Sequence, residues 1–202
     1  MPRCRSMIAS LLSAGLAMSF ALDAGAQVTR IQVWTEASPA AIWSQSAPLQ
    51  PRYVLSPEIG ETVSLVQVAQ AAGQQVPLRL RVQYQTSLAL ADEGPHLDLL
   101  DWKHCTSVWH TIAVDGNGRF AVMPPSEAES TCFPTFSQSE LLAAVRRQGG
   151  EAHWQNLARD VSRAGEGASY VAPSLLRMVL EQWDGRGWVR VTQLEVALAM
   201  GC

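Results

Sequence analysis

The stretch LRLRVQYQTSLAL, residues 78–90, has the most regular pattern in the chain. Every second residue is apolar, aromatic or threonine, and the residues between them are arginine, glutamine, serine or alanine. This period of two predicts a β-strand with one buried face and one face in water. Because strands with a wet face belong to antiparallel sheets, we expect an antiparallel, twisted sheet around this segment.

Two turn sequences predict hairpins in the same sheet. DGNG at 115–118 follows an alternating segment, and DGRG at 184–187 lies between alternating segments at 176–183 and 188–191. Asp-Gly and Asn-Gly pairs supply the positive φ angles that tight hairpin loops require. Alternation at 28–33 predicts another strand, and the C-terminal alternation favours a strand with a bulge near Thr192 over a helix.

Helical signals are concentrated between the two turns. Ser137 and Glu140 form a capping-box pattern in front of an apolar run, and helical spacing of apolar residues continues to Gly165, a candidate C-cap. We therefore predict an α+β fold, an antiparallel twisted sheet with hairpins and a helical insertion around 138–164. Residues 27–202 are expected to form one such domain, since their number suits a single core.

Residues 1–26 resemble a secretory signal peptide. Arg3 and Arg5 precede an uncharged, mostly apolar run at 7–22, which ends near Ala24-Gly25-Ala26. The run is shorter than the roughly 20 residues that cross a bilayer. We expect cleavage between Ala26 and Gln27 and a periplasmic or secreted mature protein. No later apolar run is long enough for a membrane span, so none is predicted in the mature chain.

Charge and cysteine content narrow the class of protein further. After residue 26 the chain has 13 basic and 17 acidic residues and no basic run, so nucleic acid is not an expected partner. In an oxidising compartment Cys105 and Cys132 are expected to pair, closing a 28-residue loop and adding about 3.5 kcal/mol. The alternative pairs use Cys202, which otherwise stays a free thiol or links a dimer.

Metal or catalytic chemistry has weak support in the residue pattern. A zinc site would use His104, His110 and a cysteine, but the two histidines are six residues apart and Cys105, if oxidised, is no ligand. The Asp-x-Asn at 115–117 is followed by Arg119, which repels calcium. No Gly-x-Ser-x-Gly motif is present. We therefore assign no metal, no cofactor and no catalytic residue.

A cluster of tryptophans near the predicted disulfide favours a binding role. Trp102 and Trp109 flank Lys103, the only lysine, and tryptophan is enriched at binding hot spots. The expected function is that of an exported binding protein, either an inhibitor or immunity-type protein or an envelope-assembly accessory. Its partner would be another envelope or secreted protein. The alternative is a small periplasmic hydrolase or metal-dependent enzyme built on His104 and His110.

Overall fold

The structure is a computed structural model that describes residues 27–200. The predicted signal peptide, its cleavage site and Cys202 lie outside the described residues. Within them, no helix is both long enough and apolar enough to cross a membrane.

Eleven strands and three helices make up the described chain. Their bounds are β1 Val28–Thr35, β2 Trp43–Ser46, β3 Arg52–Leu55, β4 Val63–Gln70, β5 Leu78–Ala91, β6 His96–Asp98, β7 Cys105–Thr106, β8 His110–Ala113, β9 Arg119–Ala121, α1 Glu127–Ser130, α2 Gln138–Arg147, α3 Ala152–Arg159, β10 Ser169–Trp183 and β11 Trp188–Ala197. The strands form two sheets. The smaller has the order β2-β1-β4-β9; the larger has the order β3-β11-β10-β5-β6, with β7 and β8 also pairing with β5.

The prediction of an α+β fold was wrong. The protein is mostly β, with 43% strand and 13% helix, in two sheets that include a curled half-barrel. The alternation at 78–90 correctly indicated one buried face, but it does not reveal what covers that face. Most of it is covered by a second sheet, built from β1, β2, β4 and β9, rather than by the helices.

The main core lies between the two sheets. Leu80 and Val82 of β5 and Met178 of β10 meet Ile31 and Val66 of the smaller sheet, and all five are buried. In the register of β5 with β10, Val82 is opposite Met178 and Leu80 is opposite Leu180. Apolar residues thus line up across the sheet on one face, as the period-two pattern requires.

A second core covers the far end of β5. Leu88 and Leu90 continue the same buried face beyond the smaller sheet, where Leu141 and Val145 of α2 and Ala158 of α3 pack against them. The helices do fall within the predicted 138–164 segment, and α2 begins at the predicted capping box. They are short, however, and cover only this end of the strand.

The two predicted hairpins have different outcomes. β10 and β11 pair around DGRG, with Trp183 opposite Trp188, and β11 has a register shift near Thr192 as expected. At DGNG the turn is present, since the Asp115 carboxylate accepts the backbone N–H of Asn117 and of Arg119. The strands on its two sides separate, because β8 joins the larger sheet and β9 the smaller.

The larger sheet is not wholly antiparallel. β3 adds to its edge parallel to β11, with Tyr53 opposite Leu194. The Thr192 hydroxyl donates to the carbonyl of Gln50 at 2.7 Å and so connects β11 to the segment just before β3. This edge strand gave no clear periodic signal in the sequence because it is only four residues long.

Candidate binding surface

The solvent-facing side of the larger sheet concentrates positive charge. β3, β5, β10 and β11 place on this side the residues that alternate with the core, and five of them are arginines against two glutamates. The arginines are Arg52, Arg79, Arg81, Arg177 and Arg190, and the glutamates are Glu181 and Glu195. We call these residues, together with Trp109, Trp183 and Trp188, the arginine–tryptophan face.

One end of the face is built around Arg79. Its guanidinium carbon lies 4.3 Å from the ring centre of Trp188, and its Nε donates to the Glu181 carboxylate at 2.6 Å. Trp188 in turn meets Trp183 edge to face, with ring centres 5.7 Å apart. The stacking and the ion pair hold the guanidinium plane in one orientation.

Arg81 repeats this arrangement two residues further along β5. Its guanidinium carbon lies 4.9 Å from the ring centre of Trp109, and its Nη1 lies 3.8 Å from the other oxygen of Glu181. Glu181 therefore lies between the two arginines and is itself buried. The Glu181 carboxylate thus orders two guanidinium groups, and the three side chains together keep a net positive charge.

Hydrogen bonds continue across the sheet toward β3. Arg177 donates to the side-chain oxygen of Gln85 at 2.8 Å, and Gln193 donates to Glu195 at 2.7 Å. Glu195 also forms an ion pair with Arg52. The polar side chains of the face thus hold one another in place, which lowers the entropy lost when a partner binds.

The predicted site residues are divided between two places. Trp109 belongs to the arginine–tryptophan face and is 36% exposed. Trp102 is half-buried, and its ring contacts Phe133 and Phe136 at centre distances of 5.9 and 5.4 Å. Lys103 donates to Glu140 of α2 at 2.8 Å. Both Trp102 and Lys103 therefore stabilise the docking of the helical segment.

Registers along β5 show how far apart these places are. His110, the neighbour of Trp109, is opposite Val82, whereas the Leu99 N–H donates to the carbonyl of Leu88. Six residues of extended strand span about 20 Å. Trp102 also packs on the second core, whereas Trp109 stacks on Arg81 on the solvent-facing side, so the two rings do not share one contact patch.

Cys105 and Cys132 lie at disulfide distance, with sulfurs 2.09 Å apart and Cα atoms 5.8 Å apart. Cys105 stands opposite Thr86 in the pairing of β7 with β5, and the Thr86 hydroxyl donates to the Cys132 carbonyl at 2.6 Å. The bond joins the segment after α1 to the larger sheet, close to the start of the second core.

The two histidines of the enzyme alternative have separate partners. His104 Nδ1 is 3.4 Å from the Trp102 carbonyl, and His110 Nε2 is 2.6 Å from Glu129. The nearby Ser126 hydroxyl donates to Glu129. In residues 27–200 no group of three or more His, Cys, Asp and Glu side chains is placed to hold a metal ion.

The residues that reasoning from sequence missed are Arg79, Arg81, Glu181 and Trp188. Their signal was present in the polar half of the same alternation that identified β5. Two arginines at i and i+2 on a wet strand face necessarily lie side by side. The aromatic and acidic partners come from strands distant in the chain, so their presence beside those arginines required the strand register.

Comparison of the chain with protein-family models, with curated proteins and with solved structures finds no match.

Proposed function

We propose that this is an exported binding protein that uses its arginine–tryptophan face to contact an acidic surface on another envelope or secreted protein. One observation carries the proposal: five arginines and two glutamates lie on the solvent-facing side of β3, β5, β10 and β11 in a chain whose net charge is −3. A positive face on an acidic protein steers an acidic partner to that face and repels it elsewhere.

The residue types of the face also suit protein recognition. Arginine and tryptophan are enriched at hot spots, where a few side chains supply most of the binding free energy. Arg79 and Arg81 are held by Trp188, Trp109 and Glu181 before any partner arrives. A guanidinium ordered in this way offers its remaining N–H groups to a carboxylate with little further loss of side-chain entropy.

The compartment in the proposal rests on two features of the chain. The sequence of residues 1–26 is typical of a secretory leader, and Cys105 and Cys132 lie at disulfide distance. Disulfides persist in the periplasm and outside the cell, whereas cytosolic thiols stay reduced. We place the mature protein in the periplasm or the secreted fraction, acting as an inhibitor, an immunity-type protein or an accessory of envelope assembly.

A site-specific photo-crosslinker tests the surface in the living host. It is placed at Thr111, an exposed β8 residue paired with Arg81, and at Ala143, an exposed residue of α2, as the matched control. We expect one acidic envelope or secreted protein to be crosslinked from Thr111 and not from Ala143. The adduct should disappear when Arg79 and Arg81 are both changed to glutamine, and should weaken as salt rises.

Two outcomes would contradict the proposal. In the first, equal crosslinking from Thr111 and Ala143 would place the contact elsewhere. In the second, the adduct from Thr111 would persist in the variant Arg79→Gln with Arg81→Gln and would also persist at high salt. The variant Arg146→Gln with Arg147→Gln, on α2, removes the same charge and serves as the control for a general electrostatic effect.

A further inference from the structure

A cavity of about 390 Å³ opens beside β8, away from the arginine–tryptophan face. Its walls are largely apolar, and a few polar side chains reach it from β5, β8 and α1. The apolar lining residues are Val82, Ile112, Met123, Pro124 and Pro125. Ligand sites in proteins commonly combine an apolar lining with a few placed polar groups. The volume suits a group the size of an aromatic ring or a short alkyl chain.

Two of the hydroxyl protons at the cavity are already donated. Tyr84 is buried at the cavity floor, and its hydroxyl donates to the backbone carbonyl of Met123 at 2.5 Å. The Ser126 hydroxyl donates to Oε2 of Glu129 at 2.8 Å. The Thr111 side chain alternates with those of His110 and Ile112 and so belongs to the opposite side of the sheet, beside Arg81.

Glu129 determines the proton position on His110. The backbone N–H of Ser126, followed by the imidazole of His110, lowers the pKa of the Glu129 carboxyl below its ordinary value, so this group is a carboxylate. A carboxylate only accepts hydrogen bonds, and His110 Nε2, 2.6 Å from Oε1, must therefore donate.

The Tyr84 oxygen and the Glu129 carboxylate thus keep capacity to accept hydrogen bonds. Their lone pairs lie on the Tyr84 oxygen and on Oε1 of Glu129. Burial, followed by the negative charge of Glu129, raises the pKa of Tyr84 to about 12. Among the described residues, no lysine or arginine lies within ion-pair distance of Glu129, whose one such contact is with the imidazole of His110.

We propose that this cavity binds a primary ammonium group carried on a small apolar stem. The ammonium supplies three N–H donors, and the Glu129 carboxylate and the Tyr84 oxygen accept from it. The ammonium lies toward Oε1 of Glu129, and the apolar stem packs on Met123 and Ile112. Such a group is found both in small free amines and in the lysine side chain of a protein.

The test uses the mature protein and three probes of similar size. Benzylamine and n-butylamine carry the ammonium, and benzyl alcohol is the neutral counterpart of benzylamine. Binding is followed by NMR shifts of the His110 and Ile112 signals. We expect both amines to bind and benzyl alcohol to bind at least about tenfold more weakly, because a hydrogen bond to a charged group is stronger than one between neutral groups.

A variant pair locates the charge that is responsible. Glu129→Gln removes the carboxylate but keeps a side chain that completes the capping box with Ser126. We expect it to weaken amine binding at least about tenfold, while Glu127→Gln, on the same helix, leaves binding unchanged.

Each outcome bears on the proposal. Tighter binding of n-butylamine points to a lysine side chain as the natural ligand, and tighter binding of benzylamine points to a free aromatic amine. Benzyl alcohol binding as well as benzylamine to the wild-type protein overturns the proposal without recourse to any variant. So do equal effects of the two glutamine substitutions, or shifts confined to residues outside the cavity.

Discussion

The ammonium nitrogen of Lys103 lies 2.8 Å from Oε1 of Glu140. Lys103 also donates to the Thr135 carbonyl at 3.0 Å, and Glu140 accepts the backbone N–H of Ser137 at the start of α2. The only lysine of the chain thus connects the segment before β7 to a helix N-terminus. It holds two parts of the fold together, and its charge is already partnered.

This contact gives a prediction for acid titration. The hydrogen bond from Lys103, followed by those from Ser137, lowers the pKa of Glu140 to about 2. A lowered pKa stabilises the fold above the ordinary carboxyl value, and the contribution is lost as pH falls toward about 2. We expect Lys103→Met to raise the pKa of Glu140 in an NMR titration. Glu166, whose pKa is lowered by Ser162, is the internal control and should not move.

Alanine at the two predicted binding tryptophans should have opposite effects. Trp102→Ala removes ring contacts with Phe133 and Phe136. We expect it to lower the free energy of unfolding by about 2 kcal/mol, because truncating a half-buried ring costs less than truncating a fully buried one. Trp109→Ala removes one exposed cation–π contact, and we expect a loss below about 1 kcal/mol. Urea unfolding measures both, and equal losses would contradict this division of roles.

Gly118 should not tolerate a side chain. Its φ is +75°, and a Cβ at this position would overlap the backbone carbonyl oxygen of Val68. The Val68 N–H also donates to the Gly118 carbonyl at 2.8 Å, so the two backbones cannot move apart freely. We expect Gly118→Ala to cost more than about 2 kcal/mol in thermal unfolding. Gly116→Ala, in the same turn but with open space around it, is the control.

The bond between Cys105 and Cys132 should contribute measurably to stability. The loop-entropy relation gives about 3.5 kcal/mol for the segment between them. We expect Cys105→Ala and Cys132→Ala each to lose roughly this amount in denaturant unfolding. Cys202→Ala should leave stability unchanged and abolish any disulfide-linked dimer on a non-reducing gel. A large loss of stability from Cys202→Ala would show that the pairing in solution is different.

Export is checked by the N-terminus of the protein recovered from its host. We expect intact-mass measurement to find a chain beginning at Gln27, because the small residues Ala24 and Ala26 occupy the positions that signal peptidase requires. Recovery of the protein with residues 7–22 still attached would contradict the proposed location.

The sequence predicted local features far better than their assembly. The alternation at 78–90, the capping box at Ser137 and the turn at 184–187 each depend on neighbours a few residues apart, and each is present. The second sheet was missed because no local pattern shows which strands pair, and because β2 and β9 are short and β9 lies 49 residues after β4 in the chain. Nothing local indicates that β8 and β9, on either side of one turn, join different sheets.

For the candidate binding surface, too, the sequence indicated single residues but not which residues come together. Trp109 was identified from its residue type, but its partner Arg81 was visible only as part of a strand pattern. The grouping of Trp102 with Trp109 assumed that seven residues of chain keep two side chains together, whereas Trp102 packs on the second core and Trp109 on the solvent-facing side of the sheet. Two side chains that are close in the sequence need not be close in space when a strand lies between them.

The segment from Cys105 to Cys132 leaves the larger sheet with β8, crosses to the smaller sheet as β9 and returns. Both ends of β9 are therefore connected covalently to the larger sheet, one end by the chain that leads from β8 and the other by the Cys105–Cys132 bond. The opposite margin, where β2 and β3 form the outer strands, has the chain as its one covalent link among the described residues, together with the ring contact between Trp43 and Tyr53. We therefore expect local separation of the two sheets to begin at the margin formed by β2 and β3. Amide hydrogens of β2 and β3 should then exchange with solvent well before those of β9, and reduction should remove the difference.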